Sequence, residues 1–268
     1  MTDLARDDCM ESISFWIPAH VHVCTTTDGS VLLDLKRDRY LGLGREETEL
    51  LAAVLAEWPK PRWESTPLRI LPGSEGEKRA LSLCESLAGD GLLVRDTEFG
   101  SRSAERSESE NRRLREGAGQ DMRREWISIG DELEALGRVG MRDIVNFLWG
   151  YLWVRGSLAL RPFSATVESV RALKTRAAIS GSTWQVYRVA ELVEVFRRLR
   201  PLFFAAEGHC LLHALTLVKF LSRYDFHPEW MIGVTTQPWG AHSWVQWGNF
   251  LLDTNPEKVC GYVPIMAV

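Results

Sequence analysis

The chain has 268 residues, 45% apolar and 25% charged, with a net charge of -4, enough for one large domain or two small ones around a real core. The slightly acidic balance removes the electrostatic basis for broad nucleic-acid or anionic-membrane binding and leaves small molecules, peptides or proteins as partners. Five scattered cysteines, Cys9, Cys24, Cys84, Cys210 and Cys260, do not read as a disulfide framework.

The acidic start MTDLARDDCMESISF carries no apolar signal core. The longest stretch free of Asp, Glu, Lys and Arg, Trp230 to Leu252, is interrupted by polar residues and Pro238. A cytoplasmic chain without a membrane span is expected. Phe15–Cys24 reads as a strand, Thr27-Asp28-Gly29-Ser30 as a turn, Val31–Leu35 as a second strand, and Tyr40–Leu43 as a short third one after Lys36-Arg37-Asp38. From Glu46 the period changes, and Leu50, Leu51, Val54 and Leu55 make a helical stripe that stops before Pro59. A second helix, Glu77–Leu87, aligns Ala80, Leu83, Cys84 and Leu87, and Gly91–Val94 reads as a closing strand. Such an order suits a small winged-helix-like unit.

Ser101–Glu125 holds 13 charged residues among 25 and almost nothing large and apolar, so it reads as a tethering linker. From Trp126 to about Phe204 helical periodicity dominates, broken at Gly137–Gly140, Arg161-Pro162 and Gly181-Ser182. Ile144–Val154 is apolar nearly all round and is expected to be a buried central helix. From Glu229 the pattern alternates, so the fold class is α+β with helices first and an antiparallel sheet last.

Chemistry concentrates near the C-terminus. Gly208 breaks the chain ahead of an apolar helical run, which puts Cys210 in a helix's first turn, where unpaired N–H groups and the helix dipole favour the nucleophilic thiolate. Trp239–Trp247 alternates as a strand, Gly248-Asn249 suits a two-residue hairpin turn, and Phe250–Asp253 returns. That register pairs Trp247 with Phe250 and Trp244 with Asp253, so His242, Trp244 and Asp253 share one face. His213, three residues beyond Cys210, competes as the base. His209 points elsewhere. A zinc set drawn from His209, Cys210, His213, His242 and Cys260 lacks compact ligand spacing, so no metal is expected. His20 and His22 share a strand face with no third ligand nearby.

A cysteine at a helix start followed by His and Asp on adjacent antiparallel strands resembles the transglutaminase-like cysteine protease core, with papain-like chemistry, whose motif positions fall on Cys210, His242 and Asp253. The chain as a whole resembles the fused lasso peptide biosynthesis B proteins. Asp28–Leu43 is similar to the PqqD-like recognition element of ribosomal-peptide maturation. Gly208-His209-Cys210, Ala241-His242-Ser243-Trp244 and Leu252-Asp253-Thr254-Asn255-Pro256 are similar to the leader peptidase. Proline-rich Trp58–Gly73 departs from the family's pattern, which has a middle helix there.

The resemblance implies three segments: residues 1–100 as the recognition element, 101–125 as the charged linker and 126–268 as the protease domain. It implies hydrolysis of the leader–core bond of a precursor peptide, with Cys210 attacking, His242 moving the proton and Asp253 orienting it. It implies no cofactor, and a separate ATP-dependent, asparagine-synthetase-like lasso cyclase as the next partner. The leader would add as a strand beside Tyr40, Leu41 and Leu43, against Ala80, Leu83 and Leu87 of the last helix, unless those side chains simply fill the unit's own core. Two rival classes use the same residues: an acyltransferase that passes the acyl group to an amine, and a non-catalytic protein that delivers the precursor.

Overall fold

The computed structural model describes residues 15–61, 63, 71, 73–95, 126–128, 138–180, 186–205, 208–252 and 254–268. Cys9, the linker 101–125 and Asp253 lie outside them, as does most of the proline-rich stretch.

The first half contains β1 (Phe15–Trp16), β2 (Val21–Thr25), β3 (Ser30–Asp34), β4 (Arg39–Leu43), α1 (Arg45–Val54), α2 (Glu75–Gly89) and β5 (Val94–Arg95). β2, β3 and β4 form an antiparallel meander with β3 central. Its turns are chemically specified. Gly29 has φ 152°, and a Cβ there would meet the Leu43 carbonyl oxygen at 1.9 Å, a close approach that only glycine permits. Buried Asp34 accepts hydrogen bonds from the Lys36 and Arg37 backbone N–H groups at 2.9 and 3.2 Å and so fixes the β3–β4 turn.

Every residue of β3 is buried. Leu32 packs with Leu51, Cys84 and Leu87 beneath α1 and α2. Val31 and Leu33, on the opposite face with Cys24, join the core of the C-terminal half. A strand covered on both faces needs a continuous apolar run, which is why Val31-Leu32-Leu33 does not alternate. The two halves are therefore packed together, whereas the sequence suggested a tether without packing.

The second half contains β6 (Ile127–Ser128), α3 (Met141–Leu160), α4 (Phe163–Ser180), α5 (Val186–Leu199) with a 3₁₀ turn at Arg200–Leu202, α6 (Cys210–Ser222), β7 (Glu229–Thr236), β8 (Trp239–Trp247), β9 (Phe250–Leu252), α7 (Pro256–Val259) and β10 (Val263–Ala267). The sheet order is β10-β7-β8-β9-β6, with β6 parallel to β9 and the other pairs antiparallel. α6 lies between α3 and this sheet, with Leu215, Leu217, Phe220 and Leu221 all at 1% exposure or less. Phe147 of α3 anchors an aromatic cluster, its ring 5.3 Å from Phe196 and 6.4 Å from Phe220. Buried Lys219 keeps its charge satisfied by lying 3.9 Å from the Trp153 ring centre.

Four local expectations are corrected. Phe15–Cys24 is two strands, because the chain turns after Pro18 and β1 pairs with β5; His20 consequently sits in the turn, off the face of His22. The closing strand is Val94–Arg95, later than Gly91–Val94. Trp126 precedes a strand, β6, that joins the sheet edge, where helix was expected. Finally, α3 buries only one face: Phe147 and Val154 are inside, while Val145, Trp149 and Leu152 are exposed. The central buried helix is α6. Among the described residues no helix is long and apolar enough to cross a membrane.

Candidate active site

Cys210 is the first residue of α6. Gly208, at φ 73°, makes the left-handed turn that lets the chain enter the helix, and the His209 carbonyl accepts the His213 N–H at 2.9 Å as the first helical bond. Cys210 is a free, half-buried thiol. The N–H groups of the first turn lack helical acceptors by construction of any α-helix, so an anion formed beside Cys210 meets donors.

His242 lies on β8, opposite Gly233 of β7. Its ring is 6.1 Å from Trp244 and 5.2 Å from Tyr262. Gly233 is required there: a Cβ would come within 2.8 Å of the Trp244 ring and 3.0 Å of Tyr262. Trp244 is held in turn by donating from Nε1 to Gln246 Oε1 at 2.8 Å, and Gln246 Nε2 donates to Glu229 at 3.5 Å. The imidazole thus sits on a braced aromatic floor. Burial, with Lys258 and His213 adding positive potential, holds its pKa below the ordinary histidine value. A neutral ring at neutral pH is a proton acceptor. Its Nε2 is buried and has no hydrogen-bond partner among the described residues.

The hairpin register observed is Trp247–Phe250, Gln246–Leu251 and Val245–Leu252, the pairing expected from Gly248-Asn249. Asp253 follows the last described pair and lies outside the described residues. His213 stacks on Phe196 of α5 with ring centres 5.5 Å apart, and it stands within electrostatic reach of His242. α6 packs directly against β8. Among the described residues no cluster of three or more His, Cys, Asp or Glu side chains is placed to hold a metal ion.

The family model of the transglutaminase-like superfamily matches residues 146–267. A transglutaminase-like domain is present there. That superfamily includes cysteine proteases and acyltransferases, and the matched span contains Cys210, His242 and Asp253. No curated protein and no solved structure matches the chain.

Of the residues expected to meet a leader, Ala80 and Leu87 are buried, at 0% and 3% exposure, and Leu87 packs into the core under α2. Leu41, Leu43 and Leu83 are partly buried around the same core. Tyr40 faces the other way, packing on the C-terminal core. It lies within electrostatic reach of Cys210 and 5.5 Å from the Trp239 ring, edge to face. Sequence reasoning missed Tyr262 and Gly233. A glycine in the middle of a strand was the available signal for the second, since it marks close approach of other groups.

Proposed function

We propose that the chain is a leader peptidase of the lasso peptide B type, a cysteine peptidase that cuts the leader from a ribosomally made precursor in the cytoplasm. The observation that carries this reading is that Cys210 begins a helix that packs on β8, while β8 itself carries a braced His242 whose pKa burial lowers, inside a transglutaminase-like domain.

In this reading Cys210 Sγ attacks the scissile carbonyl carbon while His242 Nε2 takes the thiol proton. The oxyanion is met by the first-turn N–H groups of α6. As the C–N bond breaks, His242 gives the proton to the leaving core amine, and it then deprotonates the water that releases the leader as an acid. Asp253, next after the hairpin's last described pair, orients the imidazole through Nδ1. The chemistry needs neither metal nor organic cofactor. The freed amine is what an asparagine-synthetase-like cyclase requires.

Residues 1–100 serve as a winged-helix-like, PqqD-like recognition element, joined through the charged 101–125 linker to the peptidase of residues 126–268. β4 is an edge strand among the described residues and offers unpaired main-chain groups to a leader. Leu41, Leu43 and Leu83 are accessible to its side chains, with Ala80 and Leu87 as the floor beneath, and Tyr40 faces the peptidase.

The test is incubation with a leader-bearing precursor peptide of the lasso type, followed by intact-mass analysis. Leader and core masses that sum to the precursor plus one water support the reading. Transfer of the leader to an added amine in preference to water would make the protein an acyltransferase. An uncut precursor, bound equally well after thiol alkylation, would make it a delivery protein.

A further inference from the structure

A cavity of about 330 Å³ opens on the seam between the two halves. Val31, Tyr40, Gly42 and Leu43 line it from the N-terminal sheet, and Thr236 and Trp239 from the β7–β8 turn. Its two sides are tied together by Thr236 Oγ1 donating to Asp28 Oδ2 at 2.7 Å. The Tyr40–Trp239 ring pair forms one wall, and the same Tyr40 lies within electrostatic reach of Cys210. Gly42 faces the space directly: a Cβ there meets nothing within 4 Å.

We infer that this cavity is the side-chain subsite for a substrate residue flanking the scissile bond, built jointly by both halves, and that it takes an apolar side chain and rejects an acidic one. This rests on the peptidase reading above. The volume lies at the small end of the range for ligand pockets and admits a large side chain. Its aromatic and aliphatic walls favour an apolar group. The Asp28 carboxylate on its lining repels an acid. Burial, with Asp38 and the Cys210 and Cys24 thiols adding, pushes the Tyr40 phenol up to about 12, so the wall beside the nucleophile stays an uncharged O–H donor. On this account the N-terminal half selects what is cut as well as what is held.

The experiment uses full-length protein and synthetic precursors in which the residue on either side of the mapped cut is Gly, Leu, Trp or Asp. At one of the two positions the wild type should prefer Leu to Asp by about tenfold or more in kcat/KM, the scale of discrimination expected of a side-chain pocket. Gly42→Leu narrows the cavity and should abolish the preference for Leu over Gly at that position, read as a ratio of kcat/KM values so that any change in leader affinity on β4 cancels. Trp239→Ala removes a wall residue that is 54% exposed, so it spares the core and should raise the relative rate for Trp; it carries the test if Gly42→Leu does not fold. An unmoved preference in both variants overturns the subsite. A wild type that cuts none of the precursors overturns the peptidase reading and the subsite together.

Discussion

The two sheets share one core and differ in what surrounds the imidazole that each one buries. In the N-terminal sheet Leu32 is sealed beneath α1 and α2, Val31 and Leu33 are sealed against the C-terminal half, and His22 of β2 is buried opposite Leu33. The C-terminal sheet turns Val234 and Val245 toward α6 and packs Met231, Leu251, Val259 and Ala267 into a second cluster. Its other face holds Trp244, Tyr262, Gln246 and an imidazole with a bare buried nitrogen. Burying an unpaired polar atom costs roughly 1–3 kcal/mol. The first sheet holds its imidazole among aliphatic side chains, the second against the Trp244 and Tyr262 rings.

The sharpest way to test this division is to remove reactive groups and look for intact folding. Cys210→Ala should lower leader removal by about a thousandfold or more with thermal unfolding unchanged, because a half-buried side chain at a helix start contributes little packing. His242→Ala should be nearly as damaging and Asp253→Asn less so, whereas His213→Ala, which deletes a stacking partner of Phe196, should reduce stability more than turnover. Single-turnover cleavage and calorimetry on each variant decide. If His213→Ala abolished cleavage while His242→Ala spared it, the base would be His213.

The converse holds for the N-terminal sheet. Leu33→Ala, at 0% exposure in the shared core, should cost about 2–5 kcal/mol by denaturant unfolding without altering the chemical step at saturating precursor. A fragment ending before Ser101 would expose Val31, Leu33 and Cys24 to water. Leader affinity is therefore best measured on full-length Cys210→Ala protein. If a soluble, monomeric fragment bound leader as tightly as that protein, the seam would be less important than its burial implies.

Legibility follows the same split. Local signals placed the site's elements: Gly208 before Cys210, the β8 strand at its observed bounds, and the Gly248-Asn249 register are all set by residues within a few positions of one another. What the sequence hid is long-range. Val31-Leu32-Leu33 reads as apolar, but which face meets which partner depends on the C-terminal half, so the seam and the turn of Tyr40 toward Cys210 had no local trace. The exposed face of α3, with Val145, Trp149 and Leu152, misled for the same reason, since apolar residues all round a helix do not say which are covered.

Gly233 links the two classes of residue, because it is a packing position that carries the imidazole. Gly233→Ala would force the Trp244 and Tyr262 rings outward by several tenths of an ångström or more and tilt His242 with them. The expected effect is about a tenfold loss in kcat with leader affinity unchanged and Cys210 still alkylated at the wild-type rate. Full activity in a folded Gly233→Ala protein would show that the floor beneath His242 is not needed.

The smallest effect is one of pH, and it reads the seam directly. His22, in β2, is driven to a pKa of about 3, first by burial and then by the positive charges of Arg171 on α4 and of His20. A histidine whose pKa is depressed on folding binds fewer protons folded than unfolded between those two values. Stability therefore rises with pH across that window, is fully present above the unfolded value near 6.5, and is lost as the pH falls toward about 3. Between pH 7.5 and 5.5 the loss attributable to His22 should be on the order of 1 kcal/mol. His20, His227 and His242, each also held below its ordinary value by burial, add in the same direction. The measurement is the difference in pH dependence between wild type and His22→Gln, by urea unfolding at the two pH values, since the other three histidines cancel in that comparison. A flatter profile in the variant means that β2 stays clamped on α4 until the protein unfolds. Parallel profiles would mean that the seam opens first and hydrates His22, making the packing of the two halves a separable step.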